Sequence, residues 1–125
     1  MTDTAALPDA AIPADDAAGD IDDVLDELHD WLEETWDPDL TVGEWWERLG
    51  LAGWAAPGLP TNAYGRGLSR NDAVRVQAAI AEHGALGAPG GLGLLLAAPT
   101  IATHGTQAQI DHHVRRIVTG VDAWC

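Results

Sequence analysis

The sequence predicts an all-α protein: an up-and-down bundle of about five helices behind an acidic, disordered N-terminal leader. Three observations carry that expectation. Apolar residues recur at spacings of three and four, Ser/Thr boxes of the helix-start type open three stretches, and only the last five residues alternate as a strand does.

The leader, residues 1–19, is Ala, Asp and Pro with few large apolar groups, too little to offset the entropy of ordering. Residues 20–125 are read as the helical domain. Its first helix spans Ile21 to Trp36, with Ile21, Val24 or Leu25, Leu28, Leu32 and Thr35 or Trp36 inward and Asp20 as its cap. Asp37-Pro38 stops it. Thr41-Val42-Gly43-Glu44 is a capping box that starts a short helix through Trp45, Trp46 and Leu49, with Gly50 as its C-cap. LAGWAAPGLPTNAYGRG, 51–67, is a long irregular connection of the kind that is functional or ordered by packing. A second box, Ser69-Arg70-Asn71-Asp72, opens a helix that buries Ala73, Val76, Ile80 and Gly84. A third, Thr106-Gln107-Ala108-Gln109, opens one with Ile110, Val114, Ile117 and Val118 inward, ended by Gly120. Beyond it VDAWC reads as a strand with no partner, which is expected of a chain cut short.

From 84 to 103 there is no charge. Twenty residues could span a bilayer, but five glycines, two prolines and the lack of flanking Lys or Arg argue instead for a helix buried on all sides. Gly90-Gly91-x-Gly93 lacks the preceding strand and the Lys-Ser or Lys-Thr of a phosphate loop. Glycine there leaves room for a helix or ligand to approach closely.

The net charge of −14 sits almost entirely in the leader and first helix, since fourteen acids and no base lie between Asp3 and Asp39. With no lysine, the chain is not expected to bind nucleic acid. A single cysteine and no signal-peptide pattern make a reduced cytoplasm the expected compartment. His112 and His113 diverge on a helix, and His29 with Glu33 lacks a third ligand, so no metal is expected. Cys125 has no His and acid in a recognisable arrangement, and no catalytic constellation emerges. Six tryptophans are read as packing residues, with one of Trp45-Trp46 partly exposed to cover a partner.

Several motifs in order resemble the N-terminal helical domain of acyl-CoA dehydrogenases. They are Gly50-Leu51, Pro57 or Pro60, Tyr64-Gly65-Arg66-Gly67-Leu68-Ser69, the Gly91–Pro99 helix, His104-Gly105-Thr106, Gln109, Ile117-Val118-Thr119-Gly120 and Trp124-Cys125. The likeness covers about 20–125, and its turn carries one glycine fewer than the family's usual pattern and no acidic residue. The resemblance implies an FAD-dependent oxidoreductase acting on the CH–CH bond of an acyl-CoA, with an electron acceptor as partner and a homo- or hetero-oligomeric state. It implies that Gly91, Leu94, Leu95 and Pro99 line the acyl chain, while flavin contacts and the catalytic glutamate lie on polypeptide beyond Cys125. The chain alone is then expected neither to retain FAD nor to turn over substrate. The alternative is a stand-alone acidic helical module that binds a protein through exposed tryptophans and has no enzymatic activity.

Overall fold

The computed structural model describes the backbone of residues 11–124 and side chains from Ile21. Five helices follow one another. They are α1 (Ala11–Thr35), α2 (Val42–Leu51), α3 (Arg70–Glu82), α4 (93–104) and α5 (107–118). Helix α4 begins with a wide π-helical turn, Gly93–Ala97, and α5 carries another, Ile110–Val114. Among the described residues there is no strand.

Helix α1 starts ten residues before the expected Ile21, so position 20 lies inside it and does not cap it. Alanine is the best helix former, and Pro13 falls in the first turn, where no N–H is needed. Of the 1–19 leader, residues 1–10 lie outside the described residues. From Ile21 onward α1 buries the expected stripe of Ile21, Leu28 and Leu32. Its acids face water, with Glu27 reaching Arg66 at 2.9 Å and Glu33 lying 3.9 Å from His83.

Thr41 and Glu44 close a full capping box, as do Thr106 and Gln109. The two hydrogen bonds from Thr41 hold the Glu44 carboxyl below its ordinary pKa. At α3 only half a box forms: Ser69 accepts from Asp72 N–H at 3.2 Å, and aspartate, one methylene short of glutamate, does not return the bond.

Three helices end alike. Gly53, Gly84 and Gly120 sit at φ of +85°, +87° and +75°, each one residue past the C-cap, where glycine has no Cβ penalty. The following N–H reaches back five residues each time: Trp54 to Leu49, Ala85 to Ile80, Val121 to Arg116. Gly84 is therefore a terminator and not part of the α3 stripe. Gly50 is likewise not the C-cap of α2; it lies within the helix, which crosses α5 there. A Cβ at position 50 would stand 2.5 Å from the Val118 carbonyl oxygen.

The core joins Leu28, Leu32, Trp45, Leu49, Trp54, Val76, Ile80, Val114 and Val118. Trp31 tilts over Trp45 and Trp54, at 5.3 and 6.3 Å between ring centres, and Trp36 meets Trp45 edge-on at 4.8 Å. The 51–67 connection is ordered by its own backbone. Pro57 O accepts from Arg66 and Leu68, Leu59 O accepts from Gly67, and a short 3₁₀ turn, Thr61–Ala63, leads into Tyr64 in the left-handed region. Arg66 lies 3.5 Å over the Trp54 ring and donates twice to Ala52 O, which ties the connection to α2.

Helix propensity alone favours alanine over glycine at both Gly43 and Gly50. Packing reverses the sign at one of them. Gly43 has open space at its Cβ position, so Gly43→Ala is expected to gain up to about 1 kcal/mol. Gly50→Ala is expected to lose about 2 kcal/mol by forcing α2 off α5. Urea unfolding of the two variants measures both.

Candidate functional site

Helix α4 carries the candidate site. Gly91, at φ +105°, turns the chain into it, and its carbonyl accepts the Leu95 N–H at 3.2 Å. Pro99 has no N–H, and in a regular α-turn its ring would crowd the Leu95 carbonyl. The wide turn before it, closed by Ala98 N–H on Gly93 O, takes up that misfit. The hydroxyls of Thr100 and Thr103 bond back to Leu96 O and Pro99 O at 2.7 and 2.9 Å.

The helix is not buried on all sides, contrary to what its uncharged composition predicts. Gly93 and Ala98 are covered by the bundle, while Leu92 is 49% exposed, Leu95 70% and Leu96 61%. No described element lies over these leucines. The consequence is an apolar helix with two open faces.

One face carries the four residues singled out in the sequence. Leu94, Leu95 and Pro99 line a groove of about 480 Å³ whose far wall includes Ala55, Leu59 and Val74. Gly91, Leu94 and Leu95 line an adjoining depression of about 330 Å³ with Trp54 and Ile80. Leu94 and Leu95 thus join the two hollows, with Gly91 toward one end and Pro99 toward the other. Gln77 borders both, and Arg70 borders the larger.

The second face escaped the sequence reading. Leu92, Leu96, Ile101, Gln109, His113 and Trp124 contribute to a groove of about 550 Å³. Its only sequence signal is the spacing of Leu92, Leu96 and Thr100; the opposite wall comes from α5 and the terminal segment. That segment, read as a strand, is irregular through Trp124, and Cys125 lies outside the described residues. Val121 and Asp122 N–H both reach Arg116 O, and Arg116 grips the Asp122 carboxylate at 2.8 and 3.0 Å. Trp124 meets His113 edge-on at 5.8 Å.

Several other polar groups are taken up in structure. Asn62 and Gln107 exchange hydrogen bonds at 3.1 and 2.9 Å, and Tyr64 and Gln107 both donate to Asp111. Burial, then the Asp111 charge, pushes the Tyr64 phenol above its ordinary pKa. His112 and His113 touch edge-on at 4.7 Å. Among the described residues no three His, Cys, Asp or Glu stand close enough to hold a metal ion, and no helix is long and apolar enough to cross a membrane. Trp45 and Trp54 are buried, Trp31, Trp36 and Trp46 half-buried, and Trp124 alone among the tryptophans is exposed, at 39%.

The family model described as "Acyl-CoA dehydrogenase, N-terminal domain" matches residues 21–121. The chain belongs to the acyl-CoA dehydrogenase family. No curated protein and no solved structure matches it. In this acyl-CoA dehydrogenase domain the matched span runs from Ile21, the first buried residue described, to Val121, whose N–H completes the α5 cap. It therefore takes in all four residues of the α4 face and most of the bundle.

The Arg116 hydrogen bonds hold the Asp122 carboxyl below the ordinary aspartate range. A carboxyl lowered in this way contributes its contact fully above the unfolded pKa of about 4 and loses it only as pH falls through the lowered value. Arg116→Gln is expected to return the Asp122 titration toward about 4 and to free Trp124 at correspondingly higher pH. Carboxyl ¹³C shifts and Trp124 indole resonances follow the two events.

Proposed function

We propose that this chain forms the helical wall of an acyl-CoA pocket in an FAD-dependent acyl-CoA dehydrogenase, an oxidoreductase acting on the CH–CH bond of the thioester. The observation that carries this reading is the α4 face. Leu94, Leu95 and Pro99 on an uncharged, open helix, with Gly91 at its entry, line two adjoining apolar hollows. A thin slot walled by aliphatic groups and floored by glycine suits an acyl chain, and Arg70 and Gln77 border it as polar groups for the thioester end.

What these residues do is bind, orient and exclude water. None of the described side chains is assigned the base that removes the α-proton. Nor do they fit a whole flavin dinucleotide at the α4 face. A pyrophosphate needs several free cations or N–H groups. Arg66 is shared among Glu27, Ala52 O and Trp54, Arg116 is held bidentate by Asp122, and of the other four arginines only Arg70 borders either of the two hollows. In the reading proposed here the flavin is held by other polypeptide, and acyl-CoA, an electron acceptor and further subunits are partners of the whole assembly.

Two measurements test the reading. Titration of the ¹⁵N-labelled chain with an acyl-CoA bearing a nitroxide at the chain end is expected to broaden Gly91, Leu94 and Leu95 before Leu92 and Leu96. Leu95→Asp is expected to weaken that binding about tenfold while shifting unfolding by less than about 0.5 kcal/mol, since its side chain faces water. Broadening centred on Trp124, or flavin copurifying in stoichiometric amount with the chain, overturns it.

A further inference from the structure

The loop between α3 and α4 is held in an unusual way. Residues 85–91 read Ala-Leu-Gly-Ala-Pro-Gly-Gly, and the Cβ positions of Gly87, Gly90 and Gly91 all face open space. Such a segment has wide conformational freedom and few side chains to fix it. After Ala85, whose N–H belongs to the α3 cap, residues 86–90 make two hydrogen bonds among the described residues. Both are to tryptophan. Trp45 Nε1–H donates to Leu86 O at 2.7 Å, and Trp46 Nε1–H donates to Gly87 O at 2.8 Å.

Trp45 and Trp46 are neighbours on α2, so their side chains leave the helix about 100° apart. Trp45 reaches the loop from the buried aromatic cluster, and Trp46 reaches it from the half-buried edge. The Trp46 ring itself is fixed, because it lies on the bare Cα of Gly120, where a Cβ would collide with it. On its other side the loop faces the acyl groove: Gly87, Ala88, Pro89, Gly90 and Gly91 all line the hollow shared with Trp54, Leu94 and Leu95. The loop is thus a wall one backbone thick, with two indole N–H groups behind it and the groove in front.

We propose that Trp45 and Trp46 are positioning residues that set where this wall stands, and through it the bulk of acyl group the groove takes. The inference rests on the acyl-groove reading above. Free glycines make the wall movable, and two adjacent donors to two adjacent carbonyls give it one registered position.

The test uses the whole chain with Trp46 replaced by β-(3-benzothienyl)alanine, which keeps the ring and loses the N–H, beside Trp46→Phe. The ¹⁵N order parameters of Gly87, Gly90 and Gly91 are expected to fall in both variants, from about 0.85 toward about 0.6, with α1 and α5 unchanged. The ratio of dissociation constants for a bulky, branched acyl-CoA over a straight-chain one is expected to fall about fivefold, the worth of one hydrogen bond. In the unaltered chain the Trp46 indole N–H should exchange more slowly than that of Trp124. Unchanged loop order parameters in the benzothienyl form overturn the positioning role. A looser loop with an unchanged affinity ratio overturns its hold on acyl bulk. Failure of the unaltered chain to bind either thioester overturns the acyl-groove reading itself, and this inference with it.

Discussion

The crossing of α2 on α5 sets the geometry on which the rest of the bundle depends. Gly50 brings its Cα against the Val118 carbonyl, and Gly120 lets the Trp46 ring lie on the chain just past the end of α5. The Val118 backbone at Gly50 and the Trp46 ring at Gly120 leave no room for a side chain at either glycine. Once α2 is seated there, Trp45 and Leu49 enter the core beside Ile117 and Val118, each such burial stabilising by about 1.5–3 kcal/mol. The same seating aims both indole N–H groups at the loop before α4. The apolar helix packs on the same α5 frame, with Gly93 against Ile117.

A second set of interactions fastens α1 and the 51–67 connection to that frame. Trp54 is enclosed between Trp31 and the Arg66 guanidinium, and its own Nε1–H is buried without an acceptor. An unpaired buried donor costs about 1–3 kcal/mol. Ring burial and the stacked cation offset that cost, and Arg66 is itself held by Ala52 O and Glu27. Of the described acids on α1, Glu27 reaches the Arg66 guanidinium and Glu33 lies 3.9 Å from the His83 ring. The other acids of α1 from Asp22 onward are exposed.

What could be read from the sequence was whatever depends on neighbouring residues. Thr41 with Glu44, and Thr106 with Gln109, announce helix starts because a hydroxyl and a long carboxylate or amide three residues on can satisfy two N–H groups reciprocally. The stripes Ile21–Leu32 and Ile110–Val118 follow from the helical period. What could not be read depends on residues distant along the chain. Gly50 looks like a terminator until Val118 is set beside it, and Gly84 looks like part of a stripe until its φ is known. The wide turn in α4 has a legible cause in Pro99, but its location a turn earlier is a tertiary outcome. The wide turn in α5 has no proline, and nothing in the structure explains it. The α4 face of Gly91, Leu94, Leu95 and Pro99 was singled out in the sequence by resemblance. Its opposite wall was not, because Ala55, Leu59 and Val74 are brought there by the folding of an irregular connection.

Leu95 and Leu96 are adjacent in the wide turn of α4, and they line different grooves, Leu95 the one toward Val74 and Leu96 the one toward Trp124. Three leucines largely open to water on one short helix form a surface that folded proteins rarely leave bare. The Leu94–Leu95–Pro99 side is concave and bounded by the polar groups of Arg70 and Gln77, a shape for a slender ligand. The Leu92–Leu96 side is flanked instead by Trp124, His113 and Gln109, from elements that the Arg116–Asp122 pair and the Thr106 box hold in place. The two sides differ in shape and in rim chemistry, so α4 works as a partition between two spaces. A change that thickens α4 on one side need not disturb the other.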